Sequence, residues 1–204
     1  MRAEDLPHPP VLTDLRQHGT RGCDMKIVTI GRGRIGGGLG ELWRAAGHDV
    51  TALGRDGGDA SDADVVLVAV PGASISDALA KVTGLKGKIA IDATNILPER
   101  SGDFPSYAEE VKSFTGAPVA KSFNMNFGSL FNQIREQRVR PSNWYVADEG
   151  AREVTEQLIR DAGYDPVHVG DLTRARDFEN AVWLLMGVQP VGRVFYRFAV
   201  AGEL

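Results

Sequence analysis

The sequence has one cysteine, Cys23, among its 204 residues. No disulfide can form within the chain, which fits a reducing compartment such as the cytoplasm. No apolar run reaches the ~18–20 residues that a membrane-spanning helix requires. The first 24 residues lack the apolar centre of a secretory leader. Positive charge is not in excess: 23 Lys and Arg stand against 27 Asp and Glu, a formal net charge of -4. That argues against a general nucleic-acid surface, though not against local binding of a phosphate. Histidines are few and scattered (His8, His18, His48 and His168). No spacing of His, Cys and carboxylates suggests a metal site. Ser101 and Ser122 lack the surroundings of a nucleophile elbow.

What is present is an ordinary globular composition, 43% hydrophobic and 25% charged. A patterned strand starts abruptly at Met25. Residues 1–24 are therefore expected to be a disordered tail or a mis-assigned start. Beyond them, strands are predicted over residues 26–30, 49–53, 64–70, 88–93, 118–123, 143–147 and 166–169. Helices are predicted over residues 35–46, 73–82, 107–114, 128–134, 150–162 and 172–186, with a last apolar helical segment over 191–200. Strand and helix alternate throughout, so an α/β fold with a mainly parallel, doubly wound sheet is expected.

The first strand ends in Gly31-Arg32-Gly33-Arg34-Ile35-Gly36. This is G-x-G-x-x-G between a strand and a helix, the context that makes the motif informative. The first glycine permits a tight turn, the second lets backbone approach a pyrophosphate, and the third lets helix and strand pack closely. The helix N-terminus then turns free N–H groups toward the phosphates. Sites for NAD place an acidic residue at the end of the second strand, on the adenine ribose. Here Gly54 and Arg55 stand there. A guanidinium suits the 2′-phosphate of NADP, and Arg32 and Arg34 add to its field. Asp56 works against it.

Several stretches resemble the coenzyme F420-dependent NADP oxidoreductase family. They are residues 26–36, 64–71, Ile91-Asp92-Ala93-Thr94-Asn95, Lys121-Ser122-Phe123-Asn124, 163–167 and 170–176. The resemblance implies a Rossmann-type NAD(P)-binding domain over residues 25–170 and a small helical C-terminal lobe over 171–204. NADP and a deazaflavin would lie ring to ring between them. It implies that Arg32, Gly33, Arg34 and Ile35 touch the pyrophosphate, and Gly54 and Arg55 the 2′-phosphate. Val70, Pro71 and Ser74 would line the nicotinamide half, Asn95 would sit beside the nicotinamide, and Asn124 would face the second ligand. The chain departs from the family after Arg55, where only eight residues precede Asp64. Residues 57–61 have room for little more than a turn. The sheet is expected to lose the strand beyond the second one, and the adenine pocket to lose a wall and a basic residue.

Hydride transfer between two carriers asks little of side chains, because the cofactors carry the chemistry and the protein holds the reacting carbons about 3–3.5 Å apart. No catalytic residue is therefore assigned. Asn95, after a strand, lies where doubly wound sheets bind ligands. Lys121 is expected to reach solvent at a strand end or to touch a ligand, and Asn124-Met125-Asn126 are cleft candidates. His48 and His168 read as structural. Trp183, Leu184 and Met186 read as core or dimer surface. Phe178, Val182, Leu185, Val194, Phe195 and Phe198 fit either a homodimer surface or a buried lobe. Three functions stay open: a deazaflavin:NADP oxidoreductase, an NADP-dependent reductase of an imine or flavin, and a non-catalytic NADP(H)-binding regulator.

Overall fold

Strands that are apolar at every position need cover on both faces, and the order of elements supplies it. The computed structural model describes residues 24–95, 103–187, 192–199 and 201–202; the predicted tail, apart from Asp24, and Ser101 lie outside the described residues. In chain order, β1 (Lys26–Ile30) passes through the glycine turn into α1 (Arg34–Ala46), and β2 (Asp49–Leu53) returns. A two-residue β3 (Gly58–Asp59) precedes β4 (Val65–Val68), α2 (Ile75–Leu79), β5 (Val82–Thr83) and β6 (Ile89–Asp92). Then come α3 (Tyr107–Thr115), β7 (Val119–Ser122), a 3-10 stretch over Gly128–Glu136 and β8 (Ser142–Ala147). Finally α4 (Glu149–Asp161), β9 (Asp165–Gly170) and α5 (Ala175–Met186) follow.

Seven strands form one sheet in the order β2-β1-β4-β6-β7-β8-β9. All neighbours are parallel except β7 and β8. Alternate residues feed two cores. Ile27, Val65 and Leu67 face the side covered by α1 and α4, where Leu39, Trp43 and Leu158 are buried. Val28, Val66 and Val68 face the other side, with Ile75, Leu79, Val111 and Phe178. Each fully buried side chain of this size contributes about 1.5–3 kcal/mol. The Trp43 indole N–H donates to the Leu158 carbonyl at 2.8 Å and ties α1 to α4. Gly47 ends α1 in the left-handed region at φ 107, as its place in the sequence predicts. His48 is buried, accepting from the Met25 N–H at 3.2 Å and meeting Asp161 at 3.0 Å, a structural role. His168 lies exposed on the edge strand β9, its ring 5.0 Å from that of Tyr145.

The sheet ends at β2, as the short segment after Arg55 predicts. That segment forms more than a turn, however. β3 pairs in parallel with β5, Gly58 with Val82 and Asp59 with Thr83. This pairing also explains why α2 stops at Leu79 and not near residue 82: after a turn at Ala80 and Lys81 the chain is taken up as strand. The second difference is at the C-terminus. Residues 192–199 contain no helix. β8 begins three residues before its pairing with β7, which starts at Tyr145, so its first N–H groups need acceptors on that side. Ser142 N–H donates to the Tyr196 carbonyl at 2.8 Å, and Phe198 N–H donates to Ser142 Oγ at 2.9 Å. Trp144 packs against Tyr196 and Phe198 at 5.6 and 4.7 Å. Sheet-edge hydrogen bonds and aromatic packing outweigh the helical pattern there.

Candidate dinucleotide site

The glycine turn adopts the geometry its spacing predicts. Gly31 has φ 109, a region closed to most side chains. A Cβ there would stand 2.4 Å from the Ala69 carbonyl oxygen of the neighbouring strand end. Gly36 is buried on α1, and a Cβ on it would meet the Gly31 carbonyl at 2.0 Å, so helix and turn touch backbone to backbone. Gly33 differs: a Cβ on it would meet nothing within 4 Å. Gly33 is the N-cap of α1, no side chain caps it, and the first turn of α1 holds no acid. The helix therefore offers its first N–H groups to open space, the arrangement that accepts a phosphate.

Beside this turn lies an open cavity of about 840 Å³, within the size range of small-molecule sites. Gly31, Arg32 and Gly33 form one wall, and Gly54, Arg55 and Asp56, at the end of β2, form another. Val70, Pro71 and Ser74 close the floor after β4. These last three share the cavity with Arg55. Asp77, Ala78 and Lys81, from α2 and the residues after it, complete the rim. Nothing in the sequence pattern marks Lys81 as part of this site, since the β3–β5 pairing that brings it there joins segments over 20 residues apart.

Cations dominate the end of β2. The Arg32 guanidinium lies over Gly54, where a Cβ would come within 2.2 Å of its Nη2. Lys81 Nζ donates to the Arg55 carbonyl at 3.3 Å. Among the described residues, none of Arg32, Arg55 and Lys81 forms an ion pair, although Asp56 and Asp77 line the same cavity. Arg34 and Ile35 lean away instead. Their side chains pack on Gly128, with Arg34 Cγ 3.2 Å and Ile35 Cδ1 2.9 Å from where its Cβ would be.

The structure joins Asn95 and Asn124 to each other. Asn95 Nδ2 donates to the Asn124 carbonyl at 2.8 Å, and Asn124 Nδ2 donates to Asn95 Oδ1 at 3.0 Å and to the Phe178 carbonyl at 3.1 Å. Asn124 Oδ1 is buried without a hydrogen-bond partner. Both residues line a second cavity of about 110 Å³ together with Ile35, Phe127, Val182 and Leu185. The chain reaches Asn124 through Phe123, a buried aromatic at φ 62. Such a backbone costs on the order of 1–3 kcal/mol and persists where packing over-determines it. Trp43 and Tyr164 hold the Phe123 ring edge-on, at 5.8 and 6.5 Å.

Lys121 does not reach solvent. It is fully buried, with Nζ 2.6 Å from Asp92 Oδ2, 2.7 Å from the Thr94 carbonyl and 3.4 Å from Glu179 Oε1. Glu179, on α5, also accepts from the Tyr107 N–H at 2.6 Å. Burial raises the Glu179 carboxyl above the usual range, and the Asp92 charge adds to the shift. Sequence reading missed this cluster because its three members come from β6, β7 and α5, and only the fold joins them. Elsewhere on α5, Phe178 and Val182 are core, while Trp183 and Leu184 are 50% and 80% exposed. Phe198 is also exposed, and Phe195 packs against the α1–α4 core.

Among the described residues, no helix is long and apolar enough to cross a membrane, and no three His, Cys or carboxylate side chains gather as a metal site would require. No protein-family model and no curated protein matches the sequence. Solved structures do. A protein of Arthrobacter sp. FB24 with the provisional description of an F420-dependent NADP reductase shares 24% identity at a TM-score of 0.73. The match covers 87% of this chain and 99% of that one. A hypothetical protein of Sinorhizobium meliloti shares 23% identity at 0.56, covering 86% and 93%. A reductive aminase of Aspergillus terreus, solved with NADPH and ethyl levulinate, shares 15% at 0.58, and this chain spans 62% of its length. These likenesses agree with the strand order and the glycine turn: the chain has a Rossmann-type α/β fold.

Proposed function

We propose that the protein is an NADP(H)-dependent oxidoreductase that passes hydride between NADP and a second bound molecule, with deazaflavin coenzyme F420 as the first candidate. The observation that carries the reading is the uncapped start of α1 opening into a cavity where Gly54 and Arg55, at the end of β2, stand in the place of the acid of NAD sites, with Arg32 and Lys81 on the same cavity. In this reading Arg32, Gly33 and the first N–H groups of α1 hold the pyrophosphate. Gly54 and Arg55 face the adenine ribose, and Asn95 and Asn124 face the reacting end. Residues 25–170 carry the dinucleotide, and 171–204 close over the second ligand. Bound NADP supplies or accepts the hydride. The chain binds and orients, and Val182 and Leu185 on α5 keep water from the Asn95–Asn124 pair.

One feature favours a carrier-to-carrier transfer over carbonyl reduction. Among the described residues, those lining the second cavity include no His, Lys or carboxylate, and a carbonyl substrate would need a proton donor there. The likeness to the Arthrobacter protein supports the same direction. A homodimer through the exposed Trp183, Leu184 and Met186 of α5 is part of the proposal. The test mixes the protein with NADPH and oxidised F420 and follows both chromophores. Coupled loss of NADPH absorbance and F420 colour is expected. Tight NADPH binding with no transfer to F420, flavin or imines would instead assign a non-catalytic NADP(H)-binding protein.

A further inference from the structure

The segment after Arg55 is short, yet the wall it would have formed is not simply missing. We infer that Lys81 rebuilds it and, with Arg32 and Arg55, selects a dinucleotide phosphorylated on the adenine ribose. This rests on the proposed reading of the large cavity and names the residue that sets its specificity.

Gly54 and Gly57 bridge across a tight turn, and Gly58 N–H donates to the Lys81 carbonyl at 3.2 Å. Gly57 approaches so closely that a Cβ would stand 2.0 Å from that same oxygen. Lys81 is thus pinned by its main chain to the turn that follows Arg55. Its side chain returns along the cavity rim and donates to the Arg55 carbonyl. On the other side, Arg32 covers Gly54. A guanidinium over Gly54 and an ammonium on the Arg55 carbonyl therefore meet at the end of β2, and the Arg55 side chain adds a third cation.

None of the three is matched by an ion pair among the described residues. A ribose 2′-phosphate at the end of β2 gives all three a shared partner. Lysine is suited to this place: its compact charge and three rotatable donors can meet a phosphate from the rim, where the planar forks of Arg32 and Arg55 meet it from the side. The two carboxylates on the cavity wall, Asp56 and Asp77, oppose the cations. With only Arg32 and Arg55 they would leave the wall neutral, so Lys81 supplies the net positive charge.

The test measures binding to the full-length chain by calorimetry at one fixed ionic strength. Probes are NADPH, NADH, 2′,5′-ADP and 5′-AMP, the last two reporting on the adenine end alone. Wild type is expected to prefer the phosphorylated member of each pair. Lys81→Met is expected to weaken NADPH and 2′,5′-ADP by about tenfold, which is about 1.4 kcal/mol, and to leave NADH and 5′-AMP within about twofold. Lys81→Arg is expected to retain most of the preference. Thermal unfolding of both variants shows whether each is folded. If Lys81→Met keeps the full wild-type preference, or loses all four ligands equally, the role of Lys81 is overturned while the cavity reading stands. If wild type binds none of the four, the cavity reading itself fails.

Discussion

A lysine ammonium without solvent contact persists only where opposite charge and hydrogen bonds replace its water. Lys121 meets that condition with Asp92, Glu179 and the Thr94 carbonyl, all within 3.4 Å. The cluster also touches the site through the chain. Thr94 precedes Asn95, and Glu179 follows Phe178, whose carbonyl holds Asn124. Replacing Lys121 by methionine removes the cation and leaves two buried carboxylates facing each other. Unfolding free energy is expected to fall by about 3–5 kcal/mol, read from urea denaturation at neutral pH. A loss below about 1 kcal/mol would mean that the carboxylates find water or another cation.

Among the elements, β3 and β5 fix the position of Lys81 despite their two residues each. Parallel pairing of Gly58–Asp59 with Val82–Thr83 clips the turn after Arg55 to the end of α2. Side chains reinforce it: Thr83 Oγ1 donates to Asp59 at 2.9 Å, and Ser61 Oγ donates to the same oxygen at 2.6 Å. Both bonds hold the Asp59 carboxyl below its usual range, Ser61 contributing most. Gly57 is the tight point, at φ 76 and with no room for a Cβ beside Lys81. Gly87 has a similar φ, 79, but open space around it. Gly87→Ala is therefore expected to show only the backbone strain, on the order of 1 kcal/mol. Gly57→Ala is expected to cost more and also to weaken NADPH binding by displacing Lys81. Equal effects of the two substitutions on stability and on binding would contradict the clip.

For the whole molecule, the buried cluster makes stability depend on pH in a definite direction. The Glu179 carboxyl titrates above its ordinary value in the folded protein, because of burial first and the Asp92 charge second. The folded state then binds this proton more tightly than the unfolded chain does. The resulting contribution is fully present below the unfolded value and is lost as pH rises through the folded one. Lys121, Asp92 and, at 3.7 Å from the rim, Arg176 are the charges that face it. Unfolding free energies of wild type and Glu179→Gln, compared between about pH 4 and pH 8, should show the wild-type advantage shrinking as pH rises and then levelling. A constant difference would show that the carboxyl titrates as it does in the unfolded chain.

Local patterns in the sequence determined the order of strands and helices, the glycine turn and the absence of an acid at the end of β2. Each is a matter of neighbouring residues: β-branched runs make strands, Gly31 and Gly36 permit a turn that side chains would block, and Arg55 stands next to Gly54 in the chain itself. That Asn95 and Asn124 each follow a predicted strand was legible; that they bond to each other was not. Tertiary structure alone decided where Lys121 points, that Tyr196 and Phe198 pack on the start of β8, and that Lys81 joins Arg32 and Arg55. In those places the deciding forces act between segments distant in sequence: burial of a charge, unsatisfied strand N–H groups, and a two-residue ladder. No periodicity along the chain records them, because each takes its energy from a partner that only folding brings near.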